Sequence, residues 1–305
     1  MSVPINEGYV ELDLPSAGQP CKTWYRLYGS LSSGRRPLVA LHGGPGCTHD
    51  YLTDLSGLTS KYDIPLILYD QFGAGNSTHL PSKAGDTSFW TEDLFLFELD
   101  AVLAKLGIKE DYDLLGHSWG GMLAARHGSK QPKGLNKLII SSSPSDMKMW
   151  VEAQNKLREE LPKDVQEALT KHETEGTTES EGYKKAVDVF YDHFLCTLKP
   201  WPDNFKKSME KMEEDSTVYL TMNGPSEFFI TGSLKDWSIL EDIHRINVPT
   251  LLTNGRKDEA QDSTVLPFFE KIAKVKWVTF EKSSHTPHLE ETERYLEVVG
   301  SFLTM

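Results

Sequence analysis

The sequence predicts an α/β fold, in which a mostly parallel sheet carries helices on both faces. In the first half of the 305-residue chain, short apolar runs alternate with segments of helical periodicity. The apolar runs show no strict alternation with polar residues, which is typical of strands buried on both faces of a parallel sheet. This rhythm stops near residue 145 and resumes near residue 249, which indicates a helical insertion within the sheet domain.

The first elements form an antiparallel pair of strands. Residues 10–14 alternate apolar and polar side chains, and the aromatic-rich residues 23–28 supply the partner strand. Buried strands are then predicted at 37–41, 65–70, 112–116 and 137–141, and helices at 89–106 and after residue 122. After the insertion, strands follow at 249–254 and 275–280, and a helix at 291–303 closes the chain.

The insertion is predicted to be a separate helical domain. Residues 1–144 and 238–305 form the core domain, and residues 145–237 form what we call the cap segment. Its apolar faces are predicted around Trp150, Phe190, Tyr191, Trp201 and Met209. A helical insertion of this kind can close over an active site and contribute substrate contacts.

Charge and composition exclude several classes of function. The formal net charge is −13, with 32 basic and 45 acidic residues, so nucleic acid and anionic membranes are not expected partners. The three cysteines, Cys21, Cys47 and Cys196, suggest neither a disulfide framework nor a zinc site. Without a signal-like N-terminus or a membrane-length apolar run, we expect a cytoplasmic protein with no metal or organic cofactor. The sequence makes no prediction of the oligomeric state.

The strongest chemical motif is Gly116-His117-Ser118-Trp119-Gly120. This G-x-S-x-G pattern follows a predicted buried strand and precedes a predicted helix, which is the context of a nucleophile elbow. The tight turn presents the serine hydroxyl at the end of the sheet, and the glycines remove side chains that would clash. The motif therefore predicts an α/β-hydrolase fold with Ser118 as nucleophile.

A serine nucleophile needs a base and an acid that orients the base, and this fold supplies them in the order Ser, Asp, His. His285 follows the strand at 275–280 and is the predicted base, with His288 as its competitor. Asp258 follows the strand at 249–254 and is the predicted acid, with Glu259 and then Asp262 as alternatives.

A second glycine-rich loop predicts the oxyanion hole. His42-Gly43-Gly44-Pro45-Gly46 follows a buried strand, and its glycines let the backbone approach a substrate closely. We assign the two donors to the backbone amides of Gly44 and Trp119. A nucleotide-binding role is disfavoured, because the loop lacks the Lys-Ser/Thr pair of a phosphate-binding loop and a G-x-G-x-x-G run.

Together these motifs carry a family resemblance. The HGGPG loop, the segment YDQFGAGNS at 69–77 and the elbow GHSWGG resemble the proline iminopeptidase family of α/β hydrolases. The segments MNGPSEF at 222–228 and GSLKDW at 232–237 resemble tricorn-interacting aminopeptidases and bacterial L-amino-acid amidases of that family. The resemblance extends from about Lys22 to Phe302, which is nearly the whole chain.

The resemblance implies a hydrolase that recognises a free α-amino group. Such an enzyme removes an N-terminal proline or other apolar residue from peptides, or hydrolyses amino-acid amides, through an acyl-enzyme on Ser118. In this family acidic side chains bind the amine, and the matching positions are Glu227 and Glu259. Trp201 and Phe228 are expected to enclose the substrate side chain.

One departure and two alternatives accompany this interpretation. Asp262 stands where the family commonly has proline, which changes the loop after Asp258 and adds an acid near the proposed amine site. An esterase or lactonase acting on a small molecule would keep the catalytic triad but not the amine site. A hydrolase fold that serves only as a receptor or scaffold is disfavoured by the complete set of catalytic residues.

Overall fold

The computed structural model describes residues 3–305, which are built around one eight-stranded sheet. The strands are β1 (Ile5–Leu12), β2 (Cys21–Tyr28), β3 (Leu38–Leu41), β4 (Leu66–Tyr69), β5 (Tyr112–His117), β6 (Leu135–Ser141), β7 (Thr250–Gly255) and β8 (Val275–Phe280). Their spatial order is β1-β2-β4-β3-β5-β6-β7-β8. Strands β1 and β2 pair antiparallel, β2 is antiparallel to β4, and the remaining neighbours are parallel.

The helices lie along the chain as follows: α1 (Gly57–Tyr62), α2 (Glu92–Lys105), α3 (Trp119–Ser129), α4 (Met147–Arg158), α5 (Lys163–Glu175), α6 (Glu181–Phe194), α7 (Asp203–Glu214), α8 (Thr217–Met222), α9 (Asp262–Lys271), α10 (Pro287–Glu290) and α11 (Thr292–Thr304). The cap segment contains α4 to α8, between β6 and β7. Its separation from the core as a domain of its own stays a prediction. No helix within residues 3–305 is long and apolar enough to cross a membrane.

Both faces of the sheet are covered, which explains the unbroken apolar runs in the sequence. Successive residues of β3 belong to two different core clusters, with Val39 and Leu41 in one and Leu38 and Ala40 in the other. The predicted mostly parallel α/β sheet, its antiparallel first pair and its buried strands are confirmed. The sequence analysis missed α9, in which Pro267 interrupts the helical pattern.

Ion pairs of the buried Asp50 connect the cap segment to the core next to the glycine-rich loop. Asp50, which is 5% exposed, accepts from Lys207 at 2.7 Å and from Lys211 at 3.1 Å, both on α7. The amide of Thr48 donates to Ser208 Oγ at 3.0 Å. Helix α7 is therefore held against the chain that follows β3.

The turn between β5 and α3 leaves no room for side chains at its glycines. A Cβ atom on Gly116 would lie 2.0 Å from the carbonyl oxygen of Gly120, and a Cβ on Gly120 would lie 2.3 Å from that of Leu41. Because these contacts are with backbone atoms, no rotamer change relieves them. The close packing of β5, α3 and β3 depends on both glycines.

Gly116→Ala is therefore expected to destabilise the fold by about 3 kcal/mol, the upper end of typical overpacking costs. Urea unfolding followed by circular dichroism measures this change. Gly128→Ala is the matched control in α3, because the nearest atom there is the side-chain Cδ2 of Leu138 at 3.1 Å and alanine favours helix. Equal unfolding midpoints for the two variants would contradict the steric argument.

Candidate active site

The sequence-predicted catalytic side chains all lie at the carboxyl edge of the sheet. Ser118 directly follows β5, Asp258 follows β7, and His285 follows β8. The glycine-rich loop at 42–46 follows β3, beside the nucleophile elbow. Ligands of open α/β sheets bind at this edge, because the loops that leave neighbouring parallel strands converge there.

Ser118 has the strained backbone that a nucleophile elbow requires. Its φ and ψ angles are 56° and −124°, and it stands at the N-terminus of α3. Its amide is fixed by a 2.9 Å hydrogen bond to the carbonyl of Ser141 on β6. A non-glycine residue adopts this conformation only where the surrounding structure enforces it, and such strain concentrates at functional sites.

Asp258 and His285 form a tightly held pair. His285 Nδ1 donates to Asp258 Oδ1 at 2.7 Å, and the amides of Ala260 and Gly255 also donate to the carboxylate, at 2.7 and 3.0 Å. This bonding assigns the proton to Nδ1 and leaves Nε2 free to accept one. No hydrogen bond joins Ser118 to His285 in the part of the chain that the structure describes, and such contacts often form only with substrate.

The alternative base and acid lie elsewhere. His288 donates from Nε2 to the carbonyl of Tyr51 at 3.2 Å, and burial lowers its pKa to about 3. Asp262 is exposed, where it accepts from Asn254 at 2.9 Å and pairs with Arg256 at 3.3 Å. Neither His288 nor Asp262 lines the cavity that contains Ser118.

Two further carboxylates, Glu227 and Glu259, reach the same cavity. Both oxygens of Glu259 are buried without a hydrogen-bond partner among residues 3–305, and one lies 3.5 Å from His285 Nε2. Burial and the neighbouring carboxylates raise the pKa of Glu259 well above its usual range. Burial also raises the pKa of Glu227 to about 7, against the opposing effects of His285 and a bond from Tyr219.

These carboxylates dominate the electrostatics of His285. Burial alone would lower the pKa of its imidazole, but Glu259, Asp258 and Glu227 outweigh burial and raise it to about 9. A cation in the cavity would compensate the carboxylates, because buried charges are tolerated mainly when they are paired. The site is therefore suited to a positively charged group.

The two predicted oxyanion donors are free to bind a ligand. In the described chain, the backbone amides of Gly44 and Trp119 donate to no protein acceptor, whereas the amide of Gly43 donates to the Tyr51 hydroxyl at 2.7 Å. Gly44 lines the cavity beside Ser118. An oxygen anion there would find two unused donors.

A hydrogen-bond chain that the sequence analysis missed joins the glycine-rich loop to the histidine loop. The Tyr51 hydroxyl, which accepts from Gly43, donates to His117 Nδ1 at 2.9 Å. His117 Nε2 then donates to the carbonyl of His285 at 2.7 Å. Burial and the nearby histidines lower the pKa of His117 well below its usual range, which keeps the ring neutral in this tautomer. The G-x-S-x-G pattern leaves this position unspecified, so no sequence signal identified it.

Gln71 forms a second bridge, between the two elements that carry the oxyanion donors. Its side-chain Nε2 donates to the carbonyl of His42 at 2.7 Å, and its Oε1 accepts from the indole of Trp119 at 2.9 Å. Its own amide donates to His42 Nε2 at 2.8 Å. The DQFGAGNS segment carried the signal for this residue as part of the family resemblance, although no role was assigned to Gln71.

The cavity itself is small and largely apolar. Its volume is about 30 Å³, and its apolar lining comes mainly from Leu195, Phe205, Met209 and Met212. The two residues expected to enclose the substrate side chain do not line it. Trp201 packs on Phe205 and donates its indole to the carbonyl of Cys196 at 3.1 Å, while Phe228 packs on Phe190.

The sheet, the nucleophile elbow and the residues at its carboxyl edge define the class of protein. The family model for the alpha/beta hydrolase fold matches residues 36–292. A crystal structure of VinJ superposes with a TM-score of 0.93 at 46% identity, covering 98% of each chain. The chain is an α/β hydrolase.

Relatives of known sequence narrow the assignment. The proline iminopeptidase of Saccharolobus solfataricus is 37% identical over 302 residues, which cover 99% of this chain and 93% of the relative. The crystal structure of the Mycobacterium smegmatis proline iminopeptidase is 39% identical, with a TM-score of 0.88 and 98% coverage of both chains. This chain belongs to the proline iminopeptidase family, which confirms the resemblance found in the sequence.

The Gln71 bridge leads to a prediction about turnover. Gln71→Ala frees His42 and Trp119 to shift, so we expect kcat to fall about tenfold while KM changes less than about twofold. Trp119→Phe, which removes the indole donor together with part of the buried ring system, is the matched variant. The double variant is expected to raise the activation free energy by less than the sum of the two single changes. Unchanged kcat, or a loss that merely follows the folded fraction, would contradict this role.

The charge around His285 leads to a prediction about pH. For a neutral ester such as p-nitrophenyl acetate, kcat/KM is expected to rise with pH up to about 9, because the protonated imidazole cannot act as a base. Glu227→Gln removes one of the charges that raise the pKa of His285, so the rise of kcat/KM is expected at lower pH in this variant. The exposed Glu297→Gln serves as control, and identical profiles for both variants would refute the assignment.

Proposed function

We propose that this chain is a serine aminopeptidase that removes an N-terminal proline or other apolar residue from small peptides, or hydrolyses the corresponding amino-acid amides. The observation that carries the proposal is the pair of acidic side chains, Glu227 and Glu259, that line the cavity beside Ser118 and His285. The names of the relatives, proline iminopeptidases, agree with it.

The carboxylate pair supports binding of an ammonium group. The side chain of Glu259 has no hydrogen-bond partner among residues 3–305, so a protonated α-amine entering the cavity supplies donors that the protein does not. Glu227 approaches from the cap segment and Glu259 from the loop after β7. An N-acetylated substrate brings neither charge nor the same donors, and it leaves both carboxylates uncompensated.

The reaction proceeds by acyl transfer. Ser118 Oγ attacks the substrate carbonyl carbon as His285 Nε2 takes its proton, and the resulting oxyanion accepts from the amides of Gly44 and Trp119. The C–N bond breaks as the imidazolium returns the proton to the leaving amine. Water, deprotonated by His285, then hydrolyses the ester on Ser118 and releases the amino acid. The chemistry uses no metal or organic cofactor.

The cap segment and the size of the cavity support a preference for a compact apolar residue. Helices α6 and α7 place Tyr191, Met209 and Met212 over the nucleophile. Methionine side chains adapt readily to the shape of a bound group. We also propose a cytoplasmic location, where thiols stay reduced, since the three cysteines form no disulfide.

Paired substrates test this function. Prolyl, alanyl and leucyl p-nitroanilides are compared with their N-acetylated forms and with p-nitrophenyl acetate. We expect hydrolysis of the free-amine compounds, abolished by acetylation and by Ser118→Ala. Glu227→Gln is expected to lower kcat/KM about 100-fold for the free-amine compounds, as loss of a charge partner inside the cavity does, and not to lower it for the ester, whose pH profile moves to lower pH. Activity on the ester and acetylated compounds alone would favour the esterase or lactonase alternative.

A further inference from the structure

The cap segment contains a second and much larger cavity, which we call the outer cleft. Its volume is about 570 Å³, against about 30 Å³ for the cavity that contains Ser118. It lies between α6, α7 and the chain from Ser216 to Pro225. No step of the proposed reaction uses this space.

A thin partition separates the outer cleft from the catalytic cavity. Tyr191, Met209 and Met212 line both spaces. Tyr219 lines the outer cleft, and it is close enough to Glu227, which lines the catalytic cavity, to lower the pKa of that carboxyl. Because two of the three shared side chains are flexible methionines, small rotamer changes can connect the two spaces.

The size of the catalytic cavity requires such a connection. A space of about 30 Å³ holds one compact residue at most after adjustment, so the rest of a peptide has to extend out of it. An exopeptidase holds the amino end of its substrate at the closed end of the site, and the chain beyond the cleaved bond leads toward solvent. The outer cleft adjoins the site and is large enough for two further residues.

The rim of the outer cleft is acidic. Its lining contains Glu179, Glu181, Asp188 and Glu213, all of them exposed, and a single basic residue among the described lining, Lys184. Lys184 lies 3.9 Å from Glu179 and so compensates at most one carboxylate. A positively charged group in the cleft therefore meets a favourable potential that salt will screen.

We propose that the outer cleft binds the part of the substrate that follows the cleaved bond, and that it favours peptides with positive charge on their second or third residue. This inference rests on the proposed aminopeptidase function. It identifies the natural substrates as short basic peptides or amides with cationic leaving groups, rather than simple amino-acid amides.

A series of tripeptide amides tests the proposal. The first residue is the one best hydrolysed as a p-nitroanilide, the second is glycine, and the third is lysine, glutamine or glutamate. At low ionic strength the lysine peptide is expected to exceed the glutamate peptide in kcat/KM by about fivefold or more, with the glutamine peptide between them. The preference is expected to shrink in 0.5 M salt, at which the Debye length falls to about 4 Å.

Two variants locate the effect in the outer cleft. The triple variant Glu181→Gln, Asp188→Asn and Glu213→Gln should bring the lysine-to-glutamate ratio close to one, without changing p-nitroanilide hydrolysis more than about twofold. The matched control, Glu110→Gln with Glu270→Gln and Glu297→Gln, removes as many exposed charges outside the cap segment and should keep the ratio. Leu220→Trp fills the cleft from its exposed position on α8, and should lower kcat/KM for all three peptides but not for the simple amino-acid amide, whose leaving group is ammonia.

The outcomes separate this inference from the function on which it rests. The outer cleft is not the leaving-group site if two results occur together. The triple variant keeps the lysine-to-glutamate ratio of the wild type, and Leu220→Trp cleaves the peptides as well as the wild type does. A wild-type protein that hydrolyses no free-amine p-nitroanilide would instead overturn the aminopeptidase function itself. Circular dichroism of each variant shows that the fold is retained.

Discussion

The structure depends most on a cluster of acidic side chains around one imidazole at the carboxyl edge of the sheet. Three acidic side chains surround the one imidazole of His285: Asp258 and Glu259, which are buried, and Glu227, which is half-buried. Asp258 is satisfied by His285 and two backbone amides, but Glu259 has no hydrogen-bond partner in the described chain. Burying an acidic side chain in this way costs stability, and the proposed ammonium group of the substrate would offset that cost. The pKa values of the site and the charge of its ligand follow from this arrangement.

The two proposed amine ligands belong to different parts of the fold, which connects binding to the seating of the cap segment. Glu259 belongs to the core, and its carbonyl accepts from Gln154 on α4 of the cap segment at 2.8 Å. Glu227 comes from the cap segment, where its carbonyl accepts from the indole of Trp150 at 2.6 Å. The ion pairs of Asp50 with α7 hold the cap segment against the chain that follows the glycine-rich loop. An ammonium group bound between the two glutamates would add a further link between the cap segment and the core, and release of that group would remove the link.

The sequence predicted the fold and brought the central side chains together because those features are encoded locally. A buried strand followed by G-x-S-x-G needs only neighbouring residues to define the elbow at Ser118, and the other loops follow from strand order. The connections of His117, Tyr51 and Gln71 were not predictable, since each joins loops far apart in the chain. Trp201 was expected in the pocket because it is aromatic, yet its indole bonds the carbonyl of Cys196 at 3.1 Å and its ring packs on Phe205. Trp201 lies in the connection between α6 and α7, whose course is decided by tertiary packing and is not specified by sequence periodicity.

The groups of the site that lack a bonding partner together define what a ligand must supply. Ser118 holds a strained backbone, the amides of Gly44 and Trp119 donate to no acceptor in the described chain, and Glu259 accepts from no donor there. A substrate carbonyl oxygen would accept hydrogen bonds from the two amides, and a cation would pair with the carboxylate. The same small cavity must contain both groups, so they must lie within a few bonds of each other. An α-amino acyl group meets that condition, because its ammonium and its carbonyl are attached to one carbon and the carbon of that carbonyl is within reach of Ser118. The carbonyl of a simple ester or lactone would also accept from the amides, but such a substrate leaves the carboxylates without a cation. This difference favours an aminoacyl substrate, and the argument does not depend on the similarity to known proteins.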